Sequence, residues 1–331
     1  MKYLKYIGGS ILLLICLYLI GPKVHFDPID LDTPPVNYSL NQLDSVLAAS
    51  EAIVPDLKPN NEAKIVWADT LKTKTPYVLI YLHGFSASHE EGAPLHTDFA
   101  KRYGMNLLLT RLEDHGRSDK NTFINLTPDN FFESAQHALE LGKKLGDSII
   151  IMSCSTGSTL SIMLDPTCDL IAGNIMYSPN IDIKDPTSAL LVKPWGKNIM
   201  DLVIKGEHRH VEYTPLAQKY WNTDYHTNGL LALKTIIVDH MTEEHFKKFT
   251  KPFFTGYYDK DEQHQDDVVS IPAMMSFYEQ AGTKEPFKRK VNFPEAGAHV
   301  ISSHAFSKDL EHIRSETYKF AEEVLHLKPI K

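Results

Sequence analysis

Cysteine is scarce. The chain of 331 residues holds three, Cys16, Cys154 and Cys168, and no two of them stand at C-x-x-C spacing. That excludes a disulfide framework and a thiolate zinc site. A glycine-rich phosphate loop is missing, so nucleotide chemistry has no support. Internal repeats and low-complexity blocks are absent, and the 17 glycines and 19 prolines are scattered, which argues against collagen-like and disordered readings. Basic runs are absent as well. With 34 Lys and Arg against 42 Asp and Glu, the formal net charge is −8, the wrong sign for a general nucleic-acid binder. Sixteen histidines include His208-Arg209-His210, but no carboxylate or cysteine partner stands at ligand spacing, so these read as exposed histidines and no metal is expected. What is present in quantity is apolar side chain, 43% of the sequence, enough for a substantial core. The length fits one large α/β domain or two small ones.

One long apolar run stands out. Ile7 to Ile20, IGGSILLLICLYLI, holds no charge, follows Lys2 and Lys5, and is closed by Gly21, Pro22 and Lys23. Extended back to Tyr3, with Lys5 reaching to the headgroups, it attains about 18 residues, near the lower limit for a membrane span. No small-x-small cleavage site follows, and Ile15 before Cys16 is not the small residue of a lipoprotein signal. An uncleaved single-pass membrane anchor over residues 1–23, an N-terminal transmembrane helix, is therefore expected. Lys2 and Lys5 favour a cytoplasmic N-terminus, with the rest of the chain on the non-cytoplasmic side. Residues 24–61, with Pro28, Pro34, Pro35, Pro55 and Pro59, read as a spacer holding one helical piece, Asn41 to Ile53.

Beyond the spacer, β-branched and aromatic runs alternate with amphipathic helical patterns, the signature of a mostly parallel sheet flanked by helices. Strands are expected at Ala63–Ala68, Tyr77–Leu82, Met105–Thr110, Ser148–Ser153, Ala172–Tyr177, Pro252–Tyr257 and Arg289–Phe293. Runs such as VLIYL and SIIIM are apolar throughout, as strands buried on both faces require. Thr127-Pro128 opens a helix that presents Phe131, Ala135, Ala138 and Leu139 on one face, and a last helix spans about Asp309 to Leu327. The rhythm breaks at about 183–250. That insertion holds Trp195, Trp221 and a helical stretch Leu230–Met241, and it reads as a packed cap.

Three segments carry chemistry. In Ser153-Cys154-Ser155-Thr156-Gly157-Ser158 a buried strand runs into a tight turn of small residues and then a helix. Tyr81-Leu82-His83-Gly84-Phe85-Ser86 follows an earlier buried strand, and Arg111-Leu-Glu-Asp114-His115-Gly116-Arg117-Ser118 follows the next. The first resembles the nucleophile elbow G-x-S-x-G of the α/β-hydrolase family, with Ser155 central and Ser153 in place of the first glycine. The second resembles that family's HGF oxyanion segment. The third resembles its D-x-x-G-H-G-x-S segment, with Asp114 in place of a glycine. The resemblance covers about residues 62–328. It implies an α/β-hydrolase fold with the insertion as cap, and oxyanion donors at the N–H groups of Phe85 and Thr156. His83 is then a structural histidine and not the base.

A serine hydroxyl needs a histidine base held by a carboxylate, and in this family both follow the serine in the chain. Gly297-Ala-His299, after the last expected strand, matches the family's histidine loop, so His299 is the expected base and His304 its competitor. Two registers select the acid. G-x-x-D points to Asp259 after Gly256, whereas D-x-V-V points to Asp266 before Val268 and Val269. Asp266 is preferred because that junction leads into a helix, Ile271–Gln280, and Asp259 is the alternative. The resemblance implies a serine hydrolase acting on carboxylic esters through an acyl-enzyme, of the esterase, monoacylglycerol-lipase or lysophospholipase kind. It implies no cofactor, a small-molecule ester or lipid as partner, and no nucleic acid; oligomeric state stays open. The alternatives are a non-catalytic hydrolase fold that binds a ligand or partner, and a serine peptidase.

Overall fold

The computed structural model describes residue 6, residues 15–32 and residues 35–330. Nine strands are found among them: β1 (Lys64–Val66), β2 (Thr75–Leu82), β3 (Asn106–Leu109), β4 (Gly146–Cys154), β5 (Ile171–Tyr177), β6 (His208–His210), β7 (Asp224–His226), β8 (Phe253–Tyr257) and β9 (Lys288–Asn292). Seven of these build one sheet in the order β1-β3-β2-β4-β5-β8-β9, with β1 antiparallel and every other pairing parallel. All seven strand expectations fall on these strands, with bounds shifted by a residue or two. The nine helices of four or more α-helical residues with defined bounds are α1 (Leu43–Ala52), α2 (Leu95–Tyr103), α3 (Pro128–Leu145), α4 (Thr156–Leu164), α5 (Gly196–Ile204), α6 (Asn228–His240), α7 (Glu243–Lys248), α8 (Ile271–Gln280) and α9 (Leu310–Glu323).

The period of two along β2 divides its side chains between two cores. Val78, Ile80 and Leu82 join Ile149 and Ile151 of β4 under α3, where Phe131, Phe132, Ala135 and Leu139 are buried. Leu79 and Tyr81 point the other way, onto Phe99 of α2 and Ile313 and Phe320 of α9. Because both faces are covered, β2 and β4 need no polar face, which is why they read as continuous apolar runs. Helix α3 starts where Thr127 caps it: the Asn130 N–H donates to Thr127 Oγ1 at 3.1 Å, and Pro128 fills the first turn.

The chain passes from β2 to β3 on one side, then returns to lay β4 on the other side of β2. That reversal is the topological switch point of the sheet, the place where the loops after β2 and β4 splay apart and leave a crevice. The loops after β5, β8 and β9 end on the same edge.

The insertion between β5 and β8 holds α5, the β6–β7 hairpin, α6 and α7. Buried Lys234 of α6 pairs with Asp182, just beyond β5, and the Asn222 N–H donates to the Ser86 carbonyl at 2.7 Å, so this insertion is fastened to the sheet edge. His208 and His210 lie on an exposed hairpin strand, and no group of three metal-ligating side chains occurs among the described residues.

Within residues 24–61, Val36, Leu43 and Leu47 are buried against the α3 side of the sheet. The Arg111 guanidinium grips the Glu51 carboxylate with two bonds, Nε to Oε2 at 2.6 Å and Nη2 to Oε1 at 3.2 Å. Helix α1 is therefore packed onto the sheet rather than strung out as a link.

The expected transmembrane helix and the single-pass placement of the domain are corrected here. Among the described residues no helix is long and apolar enough to cross a membrane. Residues 7–14 of the apolar run lie outside the described residues. Residues 15–19 are helical, a length of about 7 Å against the roughly 30 Å of a hydrocarbon core. This piece meets the cap: the Trp195 indole N–H donates to the Leu17 carbonyl at 3.1 Å, and the Trp195 backbone N–H donates to the Pro22 carbonyl at 2.7 Å.

Candidate active site

Ser155 ends β4 and opens α4. Its backbone sits at φ 52° and ψ −119°, a conformation an L-residue adopts only when its surroundings force it. Three contacts do so. The Ser155 N–H donates to the Tyr177 carbonyl of β5 at 2.9 Å, the Asn180 N–H donates to the Ser155 carbonyl at 3.1 Å, and α4 presses against β2. A Cβ on Gly157 would lie 2.1 Å from the Leu82 carbonyl oxygen, so only glycine lets the helix pass the strand. Ser153, in the place of the family's first glycine, is buried, and its hydroxyl shares a 3.0 Å hydrogen bond with Ser158 Oγ. The turn thus accommodates a hydroxymethyl group by pairing it across the elbow.

The Thr156 N–H is the first of α4 and has no intrahelical acceptor. Phe85 follows β2 in the loop beside it, and its N–H has no acceptor among the described residues. Unpaired backbone N–H groups favour negative charge beside them, the more so at the positive end of a helix. The Phe85 ring packs on Phe123, His115 and Tyr225 at centroid distances of 4.7, 5.8 and 5.5 Å.

His83 is fully buried. Its Nδ1–H donates to the Gly84 carbonyl at 2.9 Å, and its Nε2 accepts the Leu112 N–H at 3.1 Å, so it ties the loop after β2 to the loop after β3. Burial pushes its pKa down to about 4, which keeps it neutral. Asp114 stands at φ 57°, the left-handed region where aspartate is among the few tolerated side chains. There its carboxylate accepts the Phe123 N–H and pairs with Arg117, so the residue that replaces glycine also braces the turn.

Beyond β8 the chain makes an excursion. Asp259 and Gln265 face each other in an antiparallel bridge, and the Asp266 N–H donates to the Tyr258 carbonyl at 3.0 Å. Residues 260–264 lie exposed outside that pinch. The excursion is closed at its base, so Asp266 stands where the residue after Tyr258 would stand without it. This separates the two registers of the sequence. Asp259 stays at the half-exposed rim, with its backbone bonded to the Asn292 side chain at 3.0 and 2.6 Å. Asp266 is buried. Its Oδ1 accepts the N–H groups of Val268 and Val269 at 2.9 and 3.0 Å, and its Oδ2 accepts His299 Nδ1–H at 2.7 Å.

His299 lies in the loop after β9, with Ser178 Oγ donating to its carbonyl at 2.7 Å. Burial works against the imidazolium, but the charge and hydrogen bond of Asp266 outweigh it, aided by Glu91 and Asp267, and raise the His299 pKa above its ordinary value. For Asp266, burial works in the raising direction. The His299 charge, its hydrogen bond and the two valine N–H groups overcome that and hold the carboxyl below the usual range. The Ser155 hydroxyl makes no hydrogen bond to His299 among the described residues; such contacts commonly tighten only when substrate binds. His304 is exposed and bonds the Ala93 carbonyl at 3.0 Å, away from either aspartate.

Glu91 carries no signal in the sequence reading. It lies in a one-turn 3-10 segment (His89–Gly92), is buried, and accepts the Gly84 N–H at 2.7 Å and the Tyr81 hydroxyl at 3.1 Å. A glutamate beside a second one, Glu90, reads as a solvated acidic pair. Only the packing separates the two, since Glu90 is half-buried and Glu91 sealed.

No protein-family model and no curated protein matches the sequence. Solved structures do match. One described as LipS and LipT, two metagenome-derived lipolytic enzymes, has a TM-score of 0.65 at 17% identity, over 81% of this chain and 99% of that one. Est1E from Butyrivibrio proteoclasticus with ferulic acid bound has a TM-score of 0.59 at 19% identity, over 80% and 95%. A soluble variant of the monoglyceride lipase from Saccharomyces cerevisiae, with a substrate analogue, has 0.60 at 12%, over 79% and 90%. At such identities the likeness is one of fold. The chain therefore has the α/β-hydrolase fold, which it shares with these esterases and lipases.

Proposed function

We propose that the protein is a serine hydrolase that cleaves carboxylic esters through an acyl-enzyme. The observation that carries this reading is the 2.7 Å bond between half-buried His299 and fully buried Asp266, on the same sheet edge as a serine held at φ 52°. A structural histidine has no need of an ionised partner sealed from water, whereas a base that must become an imidazolium does.

In acylation the Ser155 oxygen attacks the ester carbonyl, and its proton passes to His299 Nε2. The carbonyl oxygen becomes an oxyanion between the N–H groups of Phe85 and Thr156. Asp266 keeps the Nδ1–H tautomer and stabilises the charge on the ring. The C–O bond to the alcohol then breaks, and His299 returns the proton to the leaving oxygen. In deacylation His299 takes a proton from water, whose oxygen attacks the acyl carbonyl. Collapse of that second intermediate breaks the bond between the acyl carbon and the Ser155 oxygen, His299 returns its proton to that oxygen, and the carboxylic acid is freed.

The half-buried Phe85 ring beside the donor pair, backed by the buried rings of Phe123 and Tyr225, supports an apolar acyl or aryl group as part of the substrate. Fluorophosphonate labelling tests the nucleophile. The wild type takes up the probe and Ser155→Ala does not; a folded wild type that stays unlabelled overturns the reading. Comparing short-chain nitrophenyl esters with the matching anilides separates an esterase from a peptidase, and ester turnover is expected to dominate.

A further inference from the structure

The loop that carries the Phe85 N–H has few bonds of its own. His83 holds its beginning, beyond Gly84 the Ala87 N–H reaches the Gly84 carbonyl only at 3.3 Å, and the Asn222 N–H of the cap holds the Ser86 carbonyl at 2.7 Å. Directly behind it sits a carboxylate. Glu91 is buried, and one of its oxygens, Oε2, accepts two donors, the Gly84 N–H at 2.7 Å and the Tyr81 hydroxyl at 3.1 Å. The other oxygen crowds the face of Gly84 turned to the nucleophile: a Cβ built on Gly84 would lie 2.8 Å from Glu91 Oε1 and 3.1 Å from Ser155 Cβ.

We infer that Glu91 is a positioning residue of the hydrolytic site, a buried acceptor that fixes the Gly84 peptide so that the next N–H, that of Phe85, faces the position of the oxyanion. The inference rests on the proposed serine-hydrolase reading and deepens it. The physical reason is the geometry of a planar peptide. With the His83–Gly84 plane clamped through its N–H, and Gly84 free of a Cβ, the direction of the following N–H depends on the Gly84 torsions alone. The Gly84 carbonyl is held in turn by His83 Nδ1–H. Charge-assisted bonds of 2.7 Å are among the strong ones, and a sealed acceptor holds its donor without competition from water.

The groups facing Glu91 come from several elements. Tyr81 lies on β2 and Cys154 at the end of β4, His299 and Ser302 lie beyond β9, and Gly84 precedes Phe85. Burial raises the Glu91 pKa to about 7, opposed first by the Gly84 N–H and then by His299. In turn the Glu91 charge supports the imidazolium of His299. An acceptor is present in both protonation states, because the carbonyl oxygen of a neutral carboxyl still receives the Gly84 N–H.

Glu91→Gln keeps an amide oxygen for Gly84 and Tyr81, whereas Glu91→Leu keeps bulk and removes the acceptor. Steady-state hydrolysis of a nitrophenyl ester is expected to show kcat down by roughly 10²-fold in Glu91→Leu with KM within about twofold, since a misaimed donor is lost in the transition state. Glu91→Gln is expected to recover kcat to within about fivefold, with the acid limb of its kcat/KM profile moved to lower pH. Spectra of the full chain labelled with 15N-glycine give a readout without catalysis: the Gly84 amide of wild type and Glu91→Gln resonates far downfield, and in Glu91→Leu it does not. Wild-type kcat in a folded Glu91→Leu overturns the inference, as does equal loss in both variants. If Glu91→Leu fails to fold, a Gly84 signal in Glu91→Gln that is not far downfield, or an unmoved acid limb, overturns it. Fluorophosphonate labelling runs alongside. An unlabelled wild type sinks the hydrolase reading, and the Gly84 signal then supports or overturns the anchor separately.

Discussion

The loops that present Ser155 and Asp266 leave the same edge of one sheet, yet they are built on opposite principles. Around Ser155 every position is fixed by contact: Gly157 has no room for a Cβ, the Ser153 hydroxyl is paired, and the strained backbone is held from both sides. Around Asp266 the chain carries an exposed excursion that the Asp259–Gln265 bridge and the Asp266 N–H to Tyr258 carbonyl bond close at the base. A nucleophile must be aimed by the backbone, since its side chain has one torsion. An acid needs only a buried end point with enough donors, and Val268, Val269 and His299 supply them.

The contrast can be broken by substitution, and the largest effect is expected at Ser155, the proposed nucleophile. Ser155→Ala is expected to lower kcat by about 10⁶-fold while leaving the melting temperature unchanged, read by ester turnover beside thermal unfolding. At the acid, Asp266→Asn is expected to lower kcat by about 10⁴-fold, and Asp259→Asn to stay within about twofold. If the Asp259 variant alone loses activity, the assignment of the acid is reversed.

On the elbow side, Gly157→Val drives a side chain into the Leu82 carbonyl, and denaturant unfolding is expected to show a loss of more than about 3 kcal/mol. The pair itself is tested by pH. The base must be neutral to accept the serine proton, and the His299 pKa is raised, so activity is lost on acidification through a pKa above 6.5. In Asp266→Asn the residual activity is expected to show that limb at lower pH. The smallest effect is expected from the excursion: replacing residues 260–264 by one glycine should move the melting temperature by less than about 2 °C and kcat by less than about threefold. A collapse of activity on that shortening would end the comparison, for it would show the acid loop to be as constrained as the elbow.

Much of this was legible before the structure. Continuous apolar runs announced strands covered on both faces, Thr127-Pro128 announced a capped helix, and Ser-x-Gly after a strand announced a tight elbow, because each is a local demand that its own residues reveal. The acid was legible only as two registers, Asp259 and Asp266, since a bridge between residues six apart leaves no local pattern. Glu91 was not legible at all. Nor was the packing of α1: its few apolar residues looked like a link between prolines until Arg111, 60 residues on, closed on Glu51. The apolar N-terminal run was read by composition alone as a span, and its described end instead bonds Trp195 of the cap.

By itself the sequence determined the alternation of strand and helix and the tight turn of small residues at Ser155, because steric and hydrophobic requirements act over a few neighbouring residues, while His299 was singled out only by resemblance. The tertiary structure decided which aspartate meets His299, which of two adjacent glutamates is sealed behind Gly84, and where the N-terminal helix packs. Those outcomes depend on burial and on hydrogen bonds between distant segments, and a carboxylate acquires its role only when its surroundings exclude water and supply its donors.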